Sequence, residues 1–190
     1  MLTKTLSLLL LALAGIIPVC LAVPRNIHIG YQSVPKADAD QYNKDGTING
    51  KPRYNSGQIG QGIYLAQGPH DWPGPYLCTV YADSSKFKNA HKLWIPEKSE
   101  FDKKTLWYQS ANTDAYIQHY KLTPASTIRF ASISGKPGAM QMVIPPALLG
   151  SGPLGLSVHC EATPTDPGKF PGGLNYPNLS RDWIIGGVKP

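Results

Sequence analysis

QIGQGIYLAQGPHDWPGPYLCTVYAD, residues 58–83, decides how the rest of the chain is read. Gly60 and Gly62 flank a single residue, and a short apolar run, 63–66, follows them. A turn-rich loop over 68–75 carries Trp72 between glycines and prolines. The stretch closes in a run rich in strand-forming types, 76–81, which contains Cys78. Two strand-forming runs around a Gly/Pro/aromatic loop predict one wall and the lip of a cleft.

Toward the N-terminus, residues 25–34 alternate Ile27, Ile29 and Tyr31 with His28, Gly30 and Gln32, the period of a half-buried strand. Pro35 can open a helix over 36–43, with Gly46 as its stop. The apolar face of that helix is thin: Val34, Ala37, Ala39 and Tyr42. Residues 47–57, with Asn49-Gly50 and Pro52, predict a loop. Toward the C-terminus, 84–90 is a turn or one helical turn, and 92–95 is a short strand ended by Pro96. The 101–108 segment fits no single period. Thr113 is the expected N-cap of a helix over 114–121. Strands are expected over 127–133, 139–144 and 154–160. From 161 to 190 Pro and Gly dominate, predicting an irregular tail packed on the domain or trailing from it. Mostly strands with short helices means an α+β fold.

Residues 1–22 carry Lys4, then the apolar run 6–19, then Cys20-Leu21-Ala22. That is the pattern of a secretory signal peptide cleaved before Val23. A membrane anchor is the rival reading, and stable membrane insertion is not expected because the run is short. The expected organisation is a signal at 1–22, one domain at 23–160 and the tail at 161–190, in a secreted, extracellular monomer. Cys20 leaves with the signal. Cys78 and Cys160 then remain, and an oxidising route predicts a bridge between them. The formal charge of +6 is read as solubility, with an acidic partner or a membrane surface as the rival. No nucleic-acid motif is present. Asn178-Leu179-Ser180 is a glycosylation sequon.

Tests for chemistry are negative. The five histidines have no paired metal-ligand spacing, and no serine-hydrolase elbow or Walker loop occurs. Gly60-Gln61-Gly62 precedes a strand-like run and not a helix, so it is no dinucleotide fingerprint. Among the glutamates, Glu97 and Glu100 read as solvated surface, and Glu161 follows Cys160 in an exposed context. A cleft between the strands is expected to be lined by Gln, Tyr, His and Met, without an obvious general base.

The ordered set Ile29-Gly30-Tyr31-Gln32-Ser33, residues 58–65, Trp72-Pro73-Gly74, residues 76–83, residues 92–96 and Gln141-Met142-Val143-Ile144-Pro145 resembles secreted fungal proteins related to the heat-labile enterotoxin A chain. The resemblance implies an ADP-ribosyltransferase-like split β-sandwich with NAD in a cleft between two small sheets. It also implies departures at the functional positions. Tyr31-Gln32 stands where an arginine is expected, and 65–67 where Ser-Thr-Ser is expected. Met140-Gln141-Met142 stands where Glu-x-Glu is expected, and no glutamate lies between Glu100 and Glu161. The cleft residues it points to are Gln32, Ser33, Tyr64, Gln141 and Met142. Tyr64 matches the tyrosine that stacks on nicotinamide in another branch of the superfamily. His28 is a weaker match to that branch's first-strand histidine.

Three functional readings follow. The first is a secreted effector-like protein that has lost catalysis and binds a host or competitor protein, or a nucleotide-like ligand. The second is an active NAD-dependent transferase with a relocated acid, Glu161 or Asp71. The third is a secreted carbohydrate- or cell-wall-binding module that uses Trp72, Trp94, Trp107, Trp183 and the tyrosines.

Overall fold

A computed structural model describes residues 26–49, 57–163 and 172–189. The expected signal segment and part of the tail lie outside the described residues. The fold is α+β, with a seven-stranded mixed sheet and four α-helices. The strands are β1 (Asn26–Val34), β2 (Ile63–Ala66), β3 (Tyr76–Asp83), β4 (Lys92–Trp94), β5 (Ile128–Ser132), β6 (Met140–Ile144) and β7 (Ser157–Ala162). The helices are α1 (Lys36–Asp45), α2 (Ser84–Asn89), α3 (Ser110–His119) and α4 (Tyr176–Leu179). The sheet order is β4-β5-β6-β2-β1-β3-β7.

The sheet has a seam. β1 pairs with β3 along its whole length, but with β2 only through Tyr31 opposite Ala66. On one side stands the ladder β1-β3-β7, and on the other β4-β5-β6-β2. β4 and β5 run parallel because α3 makes the crossover between them, while every other pair is antiparallel.

Alternation along the strands divides the core in two. Ile63, Leu65, Phe130, Met142 and Ile144 point into the larger cluster, which Trp94, Tyr176 and Trp183 complete. Their neighbours Ala131 and Val143 point the other way, into a smaller cluster with Tyr116 and Ile117 of α3. Cys78 and Cys160 face each other across β3 and β7 and are bonded. Beside them, the Asn43 side chain of α1 behaves like one more strand residue. It donates to the Cys160 carbonyl and accepts from the Cys160 amide, both at 2.8 Å. That pairing covers the outer edge of β7.

Local expectations hold for α1, which ends on Gly46 in the left-handed region (φ 65°). They fail for α3. It starts four residues early, and Thr113 is no N-cap: buried within the helix, it donates its hydroxyl to the Leu106 carbonyl at 2.8 Å. Residues 101–108 form no strand beyond a single bridge between Lys98 and Thr105. Asp83 caps α2 by accepting from the Lys86 amide.

β7 continues to Ala162, so a boundary at 160 would cut a strand. Residues 172–189 then return into the domain. Tyr176 is fully buried and Trp183 nearly so. Gly186 exchanges hydrogen bonds with Lys92 and Trp94, closing the free edge of β4. The Tyr176 hydroxyl reaches the seam itself, where it donates to the carbonyls of Ile29 (3.0 Å) and Ala66 (3.1 Å). Gly30 makes this fit: a Cβ there would lie 2.6 Å from the Tyr176 oxygen and 2.9 Å from Leu65 Cβ.

Candidate functional site

A cleft of about 700 Å³ lies along the seam, bounded by β1, α1, the loop before β2 and the Trp72 lip. Four of the five residues expected from the sequence line it: Gln32, Ser33, Tyr64 and Gln141. The fifth, Met142, does not. On β6 the side chains of Gln141 and Met142 alternate, Gln141 toward the cleft and Met142 toward the main core. Met142 is fully buried in the main core, between Leu65 on β2 and Phe130 on β5.

Tyr64 presents its ring to the cleft, but its hydroxyl is structural. It donates to the Gly60 carbonyl at 2.7 Å and accepts from the Ile59 amide at 3.0 Å. Burial pushes the Tyr64 hydroxyl up to about 12. Gly57 lies against this ring, where a Cβ would come within 2.1 Å of the tyrosyl oxygen. Gln58, nearly buried, donates to the Ser132 carbonyl (2.7 Å) and accepts from the Ser134 amide (2.9 Å). Gln141 donates to the same Ser132 carbonyl at 3.3 Å. Gln32, in the opposite wall, has a buried side-chain oxygen with no hydrogen-bond partner among the described residues.

The lip is anchored from two sides. The Ser33 hydroxyl donates to the Trp72 carbonyl at 2.5 Å. Lys136 donates to the Asp71 carbonyl and places its ammonium 4.4 Å from the centre of the Trp72 ring. Trp72 is nevertheless 40% exposed. Tyr108 lines the cleft from the other bank, 59% exposed, with its amide bonded to the Gln58 carbonyl at 2.7 Å.

One organising residue escapes a reading of the sequence. Arg129 of β5 is buried, and it donates to the carbonyls of Ile59 (3.2 Å), Gln61 (3.3 Å) and Pro124 (2.9 Å). Asp114 lies 3.5 Å away. The loop before β2 wraps this guanidinium. Gly60 sits at φ 98°, and a Cβ there would come 2.4 Å from an Arg129 nitrogen. Gly60 serves that wrapping, whereas Gly62 lets the chain approach β6, where a Cβ would come 2.4 Å from the Ile144 carbonyl oxygen. Their partners are strands far along the chain, which no local pattern marks.

The proposed relocated acids are elsewhere. Glu161 is exposed on β7, and Asp71 accepts from the Gly68 amide within its own loop. Neither lines the cleft; its carboxylates are Asp38 and Asp45 of α1. Glu100 is not the solvated surface residue expected. It accepts from the hydroxyls of Tyr120 (2.6 Å) and Tyr116 (3.0 Å). Burial pushes its carboxyl up, but those hydroxyls outweigh it and hold the group below its usual range. Trp94 and Trp183 belong to the core. His28 packs against Tyr31 and Tyr81 away from the cleft wall, and burial lowers its pKa. Asn178 is exposed at α4, while the Ser180 hydroxyl of its sequon accepts from the Trp94 indole at 3.1 Å.

The resemblance in sequence motifs implies NAD, whose pyrophosphate calls for cationic partners or clustered backbone donors. Among the described residues that line the cleft there is no Arg, Lys or His, and the charges present are two aspartates. The described wall does not fit a pyrophosphate. No curated protein matches the sequence. A family model described as a family of unknown function (DUF5910) matches residues 57–185, from the Arg129-bound loop to the segment that seals β4. The chain belongs to that family.

Proposed function

We propose that this is a secreted, effector-like binding protein built on an ADP-ribosyltransferase-like split β-sandwich that has lost transferase chemistry. Its cleft takes up a ligand or a portion of a host or competitor protein. The observation that carries this reading is the make-up of the seam cleft. Gln32 follows Tyr31 where an arginine is expected, Gln141 stands in the opposite wall, and no glutamate lines the space between them. A neutral amide cannot balance a phosphate, and it cannot stabilise the positive charge that develops as nicotinamide leaves. The break between β1 and β2 at a single residue pair supports the split-sheet reading.

The test is to incubate the secreted protein with NAD and follow nicotinamide release. The expected result is no release above the protein-free control. Sustained turnover that disappears in Gln32→Ala or Tyr64→Ala would overturn the proposal. Expression with the native N-terminus should yield extracellular protein beginning at Val23; retention of residues 1–22 would remove the secreted part of the reading.

A further inference from the structure

We infer that the seam cleft binds a neutral pyranose oligosaccharide; this rests on reading the cleft as a binding site without transferase chemistry. Three features converge on that chemistry.

The first is which hydrogen-bonding groups remain available. Several wall groups already make one hydrogen bond within the protein. Gln58 and Gln141 donate to Ser132, Ser33 to Trp72, and Tyr64 to Gly60. Gln41 (2.7 Å) and Asn49 (3.4 Å) both donate to Asp45. What stays available is a second N–H on the side-chain amides, together with acceptor capacity. The Gln32 oxygen is buried and has no partner among the described residues, and a carboxylate such as Asp45 has about four acceptor sites, more than its two amides fill. A ligand that completes this wall must bring donors. Sugar hydroxyls do so without adding charge, whereas a dinucleotide's phosphates bring only acceptors.

The second is the pair of exposed aromatic rings. Trp72 and Tyr108 stand on lips anchored to different sides of the seam, through Ser33 of β1 and through Gln58. A pyranose ring has an apolar C–H face that matches such platforms, with hydroxyls around its edge for the amide and carboxylate wall.

The third is strain. Tyr108 sits at φ 61°, a left-handed conformation that bulky side chains rarely adopt, and it does so while exposed. Lys103, Lys121 and Ile184 share that region without lining the cleft, so the conformation supports the reading only together with Tyr108's place in the cleft wall. Residues held this way concentrate at ligand clamps.

The experiment screens the intact secreted protein against soluble neutral oligosaccharides (gluco-, manno-, chito- and xylo-series). NAD and spermidine are run in parallel, with titration by calorimetry and by NMR of the Trp72 indole N–H. The expected result is saturable binding of at least one neutral series that moves the Trp72 signal. Trp72→Ala, Tyr108→Asn and Gln32→Leu are each expected to weaken it at least tenfold. All three positions are at the cleft, and unchanged thermal melting shows that a loss is not unfolding. Two further variants control for position: Phe101→Ala and Ile184→Ser remove exposed side chains outside the cleft wall and should bind normally. Failure of every neutral series overturns the inference. If NAD alone then binds and releases nicotinamide, the proposed function falls with it. If spermidine or a protein partner occupies the cleft, the binding reading stands and only the glycan assignment is lost. Binding that survives all three cleft variants places the sugar elsewhere and also overturns the inference.

Discussion

The two sides of the β1–β2 seam are built from adjacent residues and end up opposite in character. On the side of Leu65 and Met142 the gap is filled. Tyr176 enters from the C-terminal segment, and its hydroxyl bridges the Ile29 and Ala66 carbonyls that the broken ladder leaves. On the side of Tyr64 and Gln141 nothing in the described chain fills it, and a cleft remains. Buried backbone carbonyls cannot be left unpaired cheaply, so the apolar side must be plugged. The other side is lined by amides, carboxylates and rings that water can serve. The sheet tolerates a joint of one residue pair because one side is sealed, and the cleft proposed to bind a ligand is what remains on the other.

The sharpest way to break the comparison is to remove the seal. Tyr176→Ala deletes a fully buried aromatic side chain and both bridging hydrogen bonds. It is expected to lower stability by about 3–5 kcal/mol in urea unfolding. Tyr176→Phe keeps the ring and should cost about 1–2 kcal/mol, the share of the hydroxyl. If both variants melt like the parent, the seal is not what stabilises the seam. Losing the bridge through Cys78→Ser with Cys160→Ser should cost roughly 2–5 kcal/mol, since it closes a long loop in the unfolded chain. That loss concerns the β3–β7 side and should add to the Tyr176→Phe cost, because different strands are involved. Strong non-additivity would mean that the two ladders do not behave as separate units.

A smaller effect tests the open side. The Tyr64 hydroxyl ionises near 10 in the unfolded chain and at about 12 in the fold, because burial disfavours the phenolate. A folded pKa raised above the unfolded value means that its stabilisation is complete below pH 10 and is lost as pH rises toward 12. Tyr31 is raised similarly, again first by burial. The parent should therefore lose stability above pH 10, and Tyr64→Phe should show a shallower decline with a lower starting value at pH 7. Equal slopes for the two proteins would place the Tyr64 hydroxyl in solvent.

What the sequence made legible follows from how local each signal is. Alternation marked β1, and the strand-forming run marked β3, because both patterns lie within single segments. The disulfide needed only a count of two cysteines and an oxidising route. Gln32, Ser33, Tyr64 and Gln141 were reached through the ordered motifs of the family resemblance, and they line the cleft. Met142 was misplaced by one residue, which in a strand is the whole distance from one face to the other. The seal was illegible. Tyr176 stands in a Pro/Gly-rich tail that resembles an irregular trailer, and its partner Gly30 reads as an ordinary polar-face position in β1. Arg129 was illegible for the same reason, since its acceptors are backbone carbonyls, which carry no sequence signature.

The finest distinction lies between keeping a ring and keeping a comfortable backbone. If Tyr108 served the fold, replacing it should cost stability. If it serves the open cleft, its left-handed backbone is a standing cost of about 1 kcal/mol, offset by function and not by packing. Asn tolerates that conformation better than other non-glycine residues, and it cannot stack. Tyr108→Asn is therefore expected to leave unfolding stability unchanged or to raise it by up to about 1 kcal/mol, in the same protein whose cleft has lost its ligand. Tyr108→Ala keeps the strain, removes the ring and should gain nothing. A fall in stability for the Asn variant, measured by urea unfolding at neutral pH, would return Tyr108 to the structure and leave Trp72 as the sole aromatic argument for the open side.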